Sequence, residues 1–150
     1  MTLSATADLL DVNVWLALAV EGHPQHKAAL KAWNHVTRPT FCRLTHLGFL
    51  RLLCNEQVMG GAVLAPASAW AAYEQLADGG VVEFIAEPAG LEERLKQFAR
   101  GAKAARDFWT DAYLAAFARC AGLRFVTFDS GFARYKDLDC LVIPARSVDE

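Results

Sequence analysis

At 150 residues, 54% hydrophobic and 21% charged, the chain is long enough to bury a core and lacks the low-hydrophobicity, high-charge profile of a disordered segment. A formal net charge of −2 excludes a polycation, so any contact with nucleic acid has to come from a local patch. No apolar run reaches membrane-spanning length, the richest being Val12 to Val20, and the first residues carry neither a basic n-region nor a small-residue cleavage site, so a cytoplasmic address is expected.

In chain order, Ala7 to Leu10 reads as a first strand that Asp11 closes. Val12 to Glu21 follows as a helix ended by Gly22, and Pro24 opens a second helix with Ala28, Ala29, Ala32 and Trp33 at helical spacing. His23 and His26 have no third ligand at a zinc-like spacing, so they read as packing at a helix start. Thr40 to Arg43 is a short second strand, with a helix from Leu44 to Asn55 behind it. Gly60-Gly61 is a loop, and Pro66 starts a helix through Leu76 that Asp78-Gly79-Gly80 ends. Val81 to Ile85 is a strand, and Leu91 to Arg100 a charged helix stopped near Gly101. Asp107 to Arg119 is a strongly patterned helix, and Arg124 to Phe128 and Cys140 to Ile143 are the last strands. This alternation predicts one α/β layer domain over residues 1–150. Cys42, Cys54, Cys120 and Cys140 form no CxxC pair and read as buried free thiols, and Trp15, Trp33, Trp70 and Trp109 read as core.

Three aspartates then claim attention. Asp11 and Asp129 each follow an apolar strand, where the ligand crevice of an open α/β sheet lies. Asp11 alone reads equally well as an N-cap, and Asp129-Ser130-Gly131 as a turn. Asp111 differs, because helical spacing puts Asp107, Asp111, Ala115 and Ala118 on one face, leaving room for close approach. If the three meet, like charges about 4 Å apart cost about 4 kcal/mol at an effective dielectric of about 20. A hard divalent cation such as Mg²⁺, or Mn²⁺, removes that cost, activates water and neutralises charge on a phosphodiester.

Leu9-Leu-Asp-Val-Asn-Val-Trp-Leu-Ala-Leu18, Phe108-Trp-Thr-Asp-Ala-Tyr-Leu-Ala-Ala-Phe-Ala118 and Phe125-Val-Thr-Phe-Asp-Ser-Gly-Phe132 resemble the acidic motifs of PIN-domain proteins, and most closely those of VapC-type toxins of bacterial toxin–antitoxin pairs. Motif order and spacing carry the resemblance from Leu9 to Ile143. It implies a doubly wound parallel sheet in an α/β/α sandwich and a Mg²⁺-dependent endoribonuclease acting on tRNA or other structured RNA. It also implies a homodimer and a cognate antitoxin. On the matching positions Asp11, Asp111 and Asp129 become the metal-binding catalytic acids, while Asn13 and Thr127 orient them.

The chain departs from that pattern at Gly48, where many PIN domains carry a fourth acid; this puts a second metal in doubt. Thr45, Gly48, Arg51 and Asn55 form a polar or small stripe on an apolar helix. One reading is a close helix contact at Gly48 beside a solvated Arg51; the other turns the stripe to the acids and Arg51 to a phosphate. Arg94, Lys96, Arg100, Lys103 and Arg106 make a run of five bases without an acid, read either as a solvated face or as an RNA-backbone contact. Two rival functions stand beside the nuclease. Asp11-Val-Asn-Val14 resembles the nucleophile loop of haloacid dehalogenase-type phosphatases, although Asn13 replaces the proton-donating acid. A non-catalytic PIN-like module binding RNA or a partner is the other.

Overall fold

Side chains alternate faces along a strand, so a strand apolar at successive positions must be covered on both sides. The computed structural model, which describes residues 6–144, meets that demand with three layers. Strands β1 (Asp8–Leu10), β2 (Pro39–Phe41), β3 (Glu83–Phe84), β4 (Arg124–Thr127) and β5 (Cys140–Val142) form one parallel sheet in the order β3-β2-β1-β4-β5. Leu9 and Phe125, paired in register, enter a core with Leu91, Leu114 and Phe117. Their neighbours Leu10 and Val126 enter the opposite core with Trp15, Phe41, Phe49 and Ala69. Trp15 stacks on Phe41 with ring centroids 3.9 Å apart.

The helices are α1 (Val12–Ala19), α2 (His26–Trp33), α3 (Arg43–Leu53), α4 (Glu56–Met59), α5 (Pro66–Asp78), α6 (Leu91–Ala99) and α7 (Phe108–Ala121), with 3₁₀ turns at Gly60–Ala62 and Ser130–Arg134. Buried residues of α6 and α7 cover one face of the sheet, and those of α1, α2, α3 and α5 the other. The chain runs from β1 outward through β2 to β3, then returns to place β4 and β5 on the other side. Strand order therefore reverses between β1 and β4, which is where the carboxyl ends of such a sheet leave a crevice. The doubly wound α/β/α reading holds.

Several boundaries move, each for a local reason. The second helix starts at His26 rather than Pro24, because residues 23–25 form a turn in which His23 Nδ1 accepts the Gln25 N–H at 3.0 Å. His26 Nδ1 lies 2.6 Å from the Ala17 carbonyl oxygen, which ties α2 to α1 and leaves the two histidines as packing groups. The second strand ends at Phe41, two residues early, because Cys42 caps α3: its N–H donates to Thr45 Oγ1 at 3.0 Å. Helix α4 was not anticipated; Asn55 Oδ1 caps it by accepting from the N–H groups of Gln57 and Val58. Trp15 is core and Trp33 packs against it, but Trp70 and Trp109 are 45% and 61% exposed, so the core expectation fails for those two. All four cysteines are free; Cys42 is buried and the others partly so.

At the amino end of β1, Asp8 is buried beneath Arg124, which donates to it through Nε (2.8 Å) and Nη2 (3.0 Å). The Thr37 N–H adds a third bond at 2.7 Å. This ion pair pins β1, β4 and the start of β2 together at the end of the sheet away from the crevice. Among the described residues no helix is long and apolar enough to cross a membrane.

Candidate active site

Asp11 stands where β1 gives way to α1 and caps that helix, its Oδ1 accepting the Val12 N–H at 2.8 Å. Its own N–H donates to the Val126 carbonyl at 2.9 Å, so the residue sits on the seam between β1 and β4. Thr127, the buried last residue of β4, donates its hydroxyl to Asp11 Oδ2 at 2.7 Å and accepts the Asp129 N–H at 3.0 Å. One hydroxyl thus fixes two of the three acids. Asp129 folds back to accept the Gly131 N–H through Oδ1 at 2.8 Å. The capping, turn and site readings of these acids are compatible rather than exclusive.

Asp111 lies in the first turn of α7, above Ala115 and Ala118, which are buried against the sheet. Its charge reaches the others. Burial pushes the Asp11 carboxyl above the ordinary aspartate range; hydrogen bonds from Thr127 and Val12 oppose the rise, and the charges of Asp111 and Asp129 add to it. The Asp111 carboxyl is also raised, again by burial first, with Arg134 opposing and Asp129 and Asp107 adding. The three acids therefore share one electrostatic neighbourhood.

A cleft of about 360 Å³ opens there. Asp11, Asn13 and Asp111 line it together with Gly48, Arg51 and Thr110; Asp129 is not among its lining residues and acts on it through charge. The stripe expected on α3 divides. Gly48 and Arg51 face the cleft, but Thr45 is buried in the α3 cap and Asn55 caps α4. Gly48 has a packing reason: a Cβ there would come within 2.7 Å of Val12 Cγ2. Any side chain at this position would have to displace the Val12 side chain of α1.

Of the basic run, Lys96, Arg100, Lys103 and Arg106 are exposed and Arg94 is partly buried, and none of the five lines the acid cleft. Arg106 pairs with Asp107 at 3.4 Å on an open surface. Lys103 borders a separate hollow with Phe108 and Trp109. The basic residue that does reach the acids is Arg134, whose Nη2 donates to Asp111 Oδ2 at 3.3 Å. Sequence reading missed it because it follows Asp129 inside a short 3₁₀ turn with no periodic pattern.

Carboxylate oxygens suit a hard cation, and the mutual repulsion of the acids gives one a reason to bind. Among the described residues, however, no three His, Cys, Asp or Glu side chains close on one point as a complete metal cage. The donor set therefore fits an ion held by one or two carboxylates, with water and substrate phosphate completing its shell, as Mg²⁺ prefers. Cys140 offers no alternative nucleophile, since burial, then nearby acids, push its thiol up to about 11.

Residues 9–138 match the PIN domain family. The chain is 42% identical over 139 residues to the ribonuclease VapC41 of Mycobacterium tuberculosis, covering 87% of this chain and 94% of that protein. In fold it resembles the sarcin–ricin loop-cleaving toxin VapC20 of M. tuberculosis, with a TM-score of 0.63 over 92% of this chain and all of that one at 19% identity. It also resembles a chain of a toxin–antitoxin complex from Klebsiella pneumoniae, with a TM-score of 0.56 over 91% and 97% of the two chains at 18% identity.

Proposed function

The chain belongs to the PIN-domain family, and from that premise we propose that Asp11, Asp111 and Asp129 form its RNA-cutting centre, working with Mg²⁺ or Mn²⁺. It is a VapC-type endoribonuclease, the toxin of a toxin–antitoxin pair. The observation that supports this reading is that Asp11 and Asp111 line one cleft, with the charges of Asp111 and Asp129 acting on Asp11 and that of Asp129 on Asp111. The phosphatase rival loses its ground, because the chain matches another family and Asn13 lines the cleft where that chemistry needs an acid.

A divalent cation bound there would activate water and neutralise phosphodiester charge. The chain's own part is positioning. Thr127 and the Val12 N–H each hold one oxygen of Asp11 and so fix the orientation of its carboxylate, and the Gly131 N–H holds Asp129. Arg51, exposed at the rim of the cleft, suits a phosphate oxygen with its planar fork. The basic run from Arg94 to Arg106 lies off the cleft and serves, in this reading, as a track for RNA flanking the cut.

The partner class follows from the family: an antitoxin that silences the centre, through an Arg or Lys side chain offered to the acids. A homodimer is the expected assembly, which light scattering of the purified protein reads directly. The test of the function is cleavage of a tRNA and a single-stranded RNA by the wild type with Mg²⁺, by the wild type with chelator, and by Asp11→Asn. Cutting that needs the metal and vanishes in the variant supports the nuclease. Binding without cutting under all conditions supports a non-catalytic RNA-binding module instead.

A further inference from the structure

Arg134 touches one of the acids, yet neither the motifs nor the proposed mechanism uses it. Its guanidinium is anchored by two neighbours, Gly131 and Tyr135. Nη1 donates to the Gly131 carbonyl at 2.8 Å, Nη2 donates to the Tyr135 hydroxyl at 3.0 Å, and Cζ lies 4.6 Å from the centre of the Tyr135 ring. Only then does Nη2 reach Asp111 Oδ2, at the longer distance of 3.3 Å. Gly131 makes this arrangement sterically possible: a Cβ there would lie 2.9 Å from Asp129 Oδ1 and 3.0 Å from Arg134 Nη1. The 3₁₀ turn thus carries one of the acids and a fixed cation side by side, and the cation leans on a second acid, Asp111 of α7.

We propose that Arg134 is a resident counter-cation of the acid centre, which a divalent metal must displace from Asp111 and which then meets the substrate phosphate from its anchored position. The inference rests on the metal-dependent nuclease reading above. Its physical basis is the inequality of the bonds. The contact to Asp111 is the longest of the three hydrogen bonds and joins side chains 49% and 25% exposed. A bond of that kind is the first to yield to a doubly charged ion. The anchors to Gly131 and Tyr135 do not involve the acids, so they survive the exchange and keep the guanidinium beside the centre rather than in solvent. An Arg so placed offers forked donors to a phosphodiester on which charge develops.

This assignment makes two opposite predictions for one variant. Removing the competitor strengthens metal binding, while removing the phosphate donor weakens catalysis. Mn²⁺ titration followed by electron paramagnetic resonance, with no RNA present, should show Arg134→Ala binding the ion about two- to fivefold tighter than wild type, the size expected for a partly exposed ion pair. At saturating metal the same variant should cut RNA about a hundredfold more slowly. Arg134→Lys, which keeps the charge but not the fork, should bind Mn²⁺ nearly as the wild type does and still cut poorly. Arg134→Gln serves if the alanine variant unfolds, since it keeps a donor for Gly131 and removes the charge. Unchanged or weaker Mn²⁺ binding in the uncharged variants of a wild type that does bind the ion overturns the counter-cation, whatever the nuclease does. A wild type that binds no Mn²⁺ overturns the metal reading and this inference together.

Discussion

Asp11 carries three duties at once: it ends β1, caps α1 and offers a carboxylate to the cleft. The combination has a thermodynamic cost. Its folded-state pKa lies above the ordinary value of 3.8, chiefly through burial, so the folded state binds protons more tightly than the unfolded one. The stabilisation this gives is fully present below 3.8 and is lost as pH rises through the raised folded value. Without metal, the melting temperature of Asp11→Asn should therefore fall less than that of wild type as pH rises from below 3.8 through the raised folded value, while the variant loses RNA cleavage, which calorimetry and a cleavage gel read together. In the metal-free protein the Asp11 and Asp111 carboxyls lie above the ordinary aspartate range, so protons compete there with a cation: Mn²⁺ affinity, titrated at several pH values, should fall with acid through pKa values above those of ordinary aspartates. Thr127 links the acids, and Thr127→Val removes a donor to Asp11 while stranding the Asp129 N–H. It should cost about 1–3 kcal/mol by denaturant unfolding and slow cleavage, whereas Thr127→Ser should preserve much of both.

Among the elements, α3 packs closely on α1 beside the cleft. Gly48 is the contact point, and a single methyl there meets Val12 at 2.7 Å. Gly48→Ala should destabilise the fold by about 1–3 kcal/mol through overpacking, and Val12→Ala in the same chain should recover part of it, a coupling that a double-mutant cycle measures. These elements were largely legible beforehand. Leu9-Leu10 and Phe125-Val126, each followed by an aspartate-led turn or helix start, announced β1 and β4, and helical spacing around Asp111 announced α7. What stayed hidden was non-periodic or long-range. The edge strand β3 shrinks to Glu83–Phe84, since with a neighbour on one side only it keeps pairing where the register with β2 holds. Arg134 lies in a short turn, and its meeting with Asp111 depends on how β4 and α7 pack. The exposed Trp109 follows from its place at the start of α7, where helical spacing alone does not tell the covered face from the open one.

For the whole molecule, chemistry and stability are assigned to opposite ends of the same strands. Asp11 and Asp129 lie past the carboxyl ends of β1 and β4, while Asp8 and Arg124 occupy their amino ends. The pair Asp8–Arg124 spans 116 residues of sequence, which is why no local pattern revealed it. Asp8 is buried and Arg124 is partly open to solvent, so the two substitutions are unequal. Arg124→Ala strands a buried charge and should cost about 3 kcal/mol or more; Asp8→Ala leaves an arginine that can reach water and should cost less. Neither should change the cleavage rate of the folded fraction, because neither residue touches the cleft. If the three separated aspartates act as one unit, they lose function non-additively. Single-turnover RNA cleavage at saturating Mg²⁺ should be measured for Asp11→Asn, Asp111→Asn, Asp129→Asn and the Asp11→Asn/Asp129→Asn double variant. Each single change should abolish nearly as much rate as the double. Losses that multiply, or a single variant that keeps the wild-type rate, would contradict it.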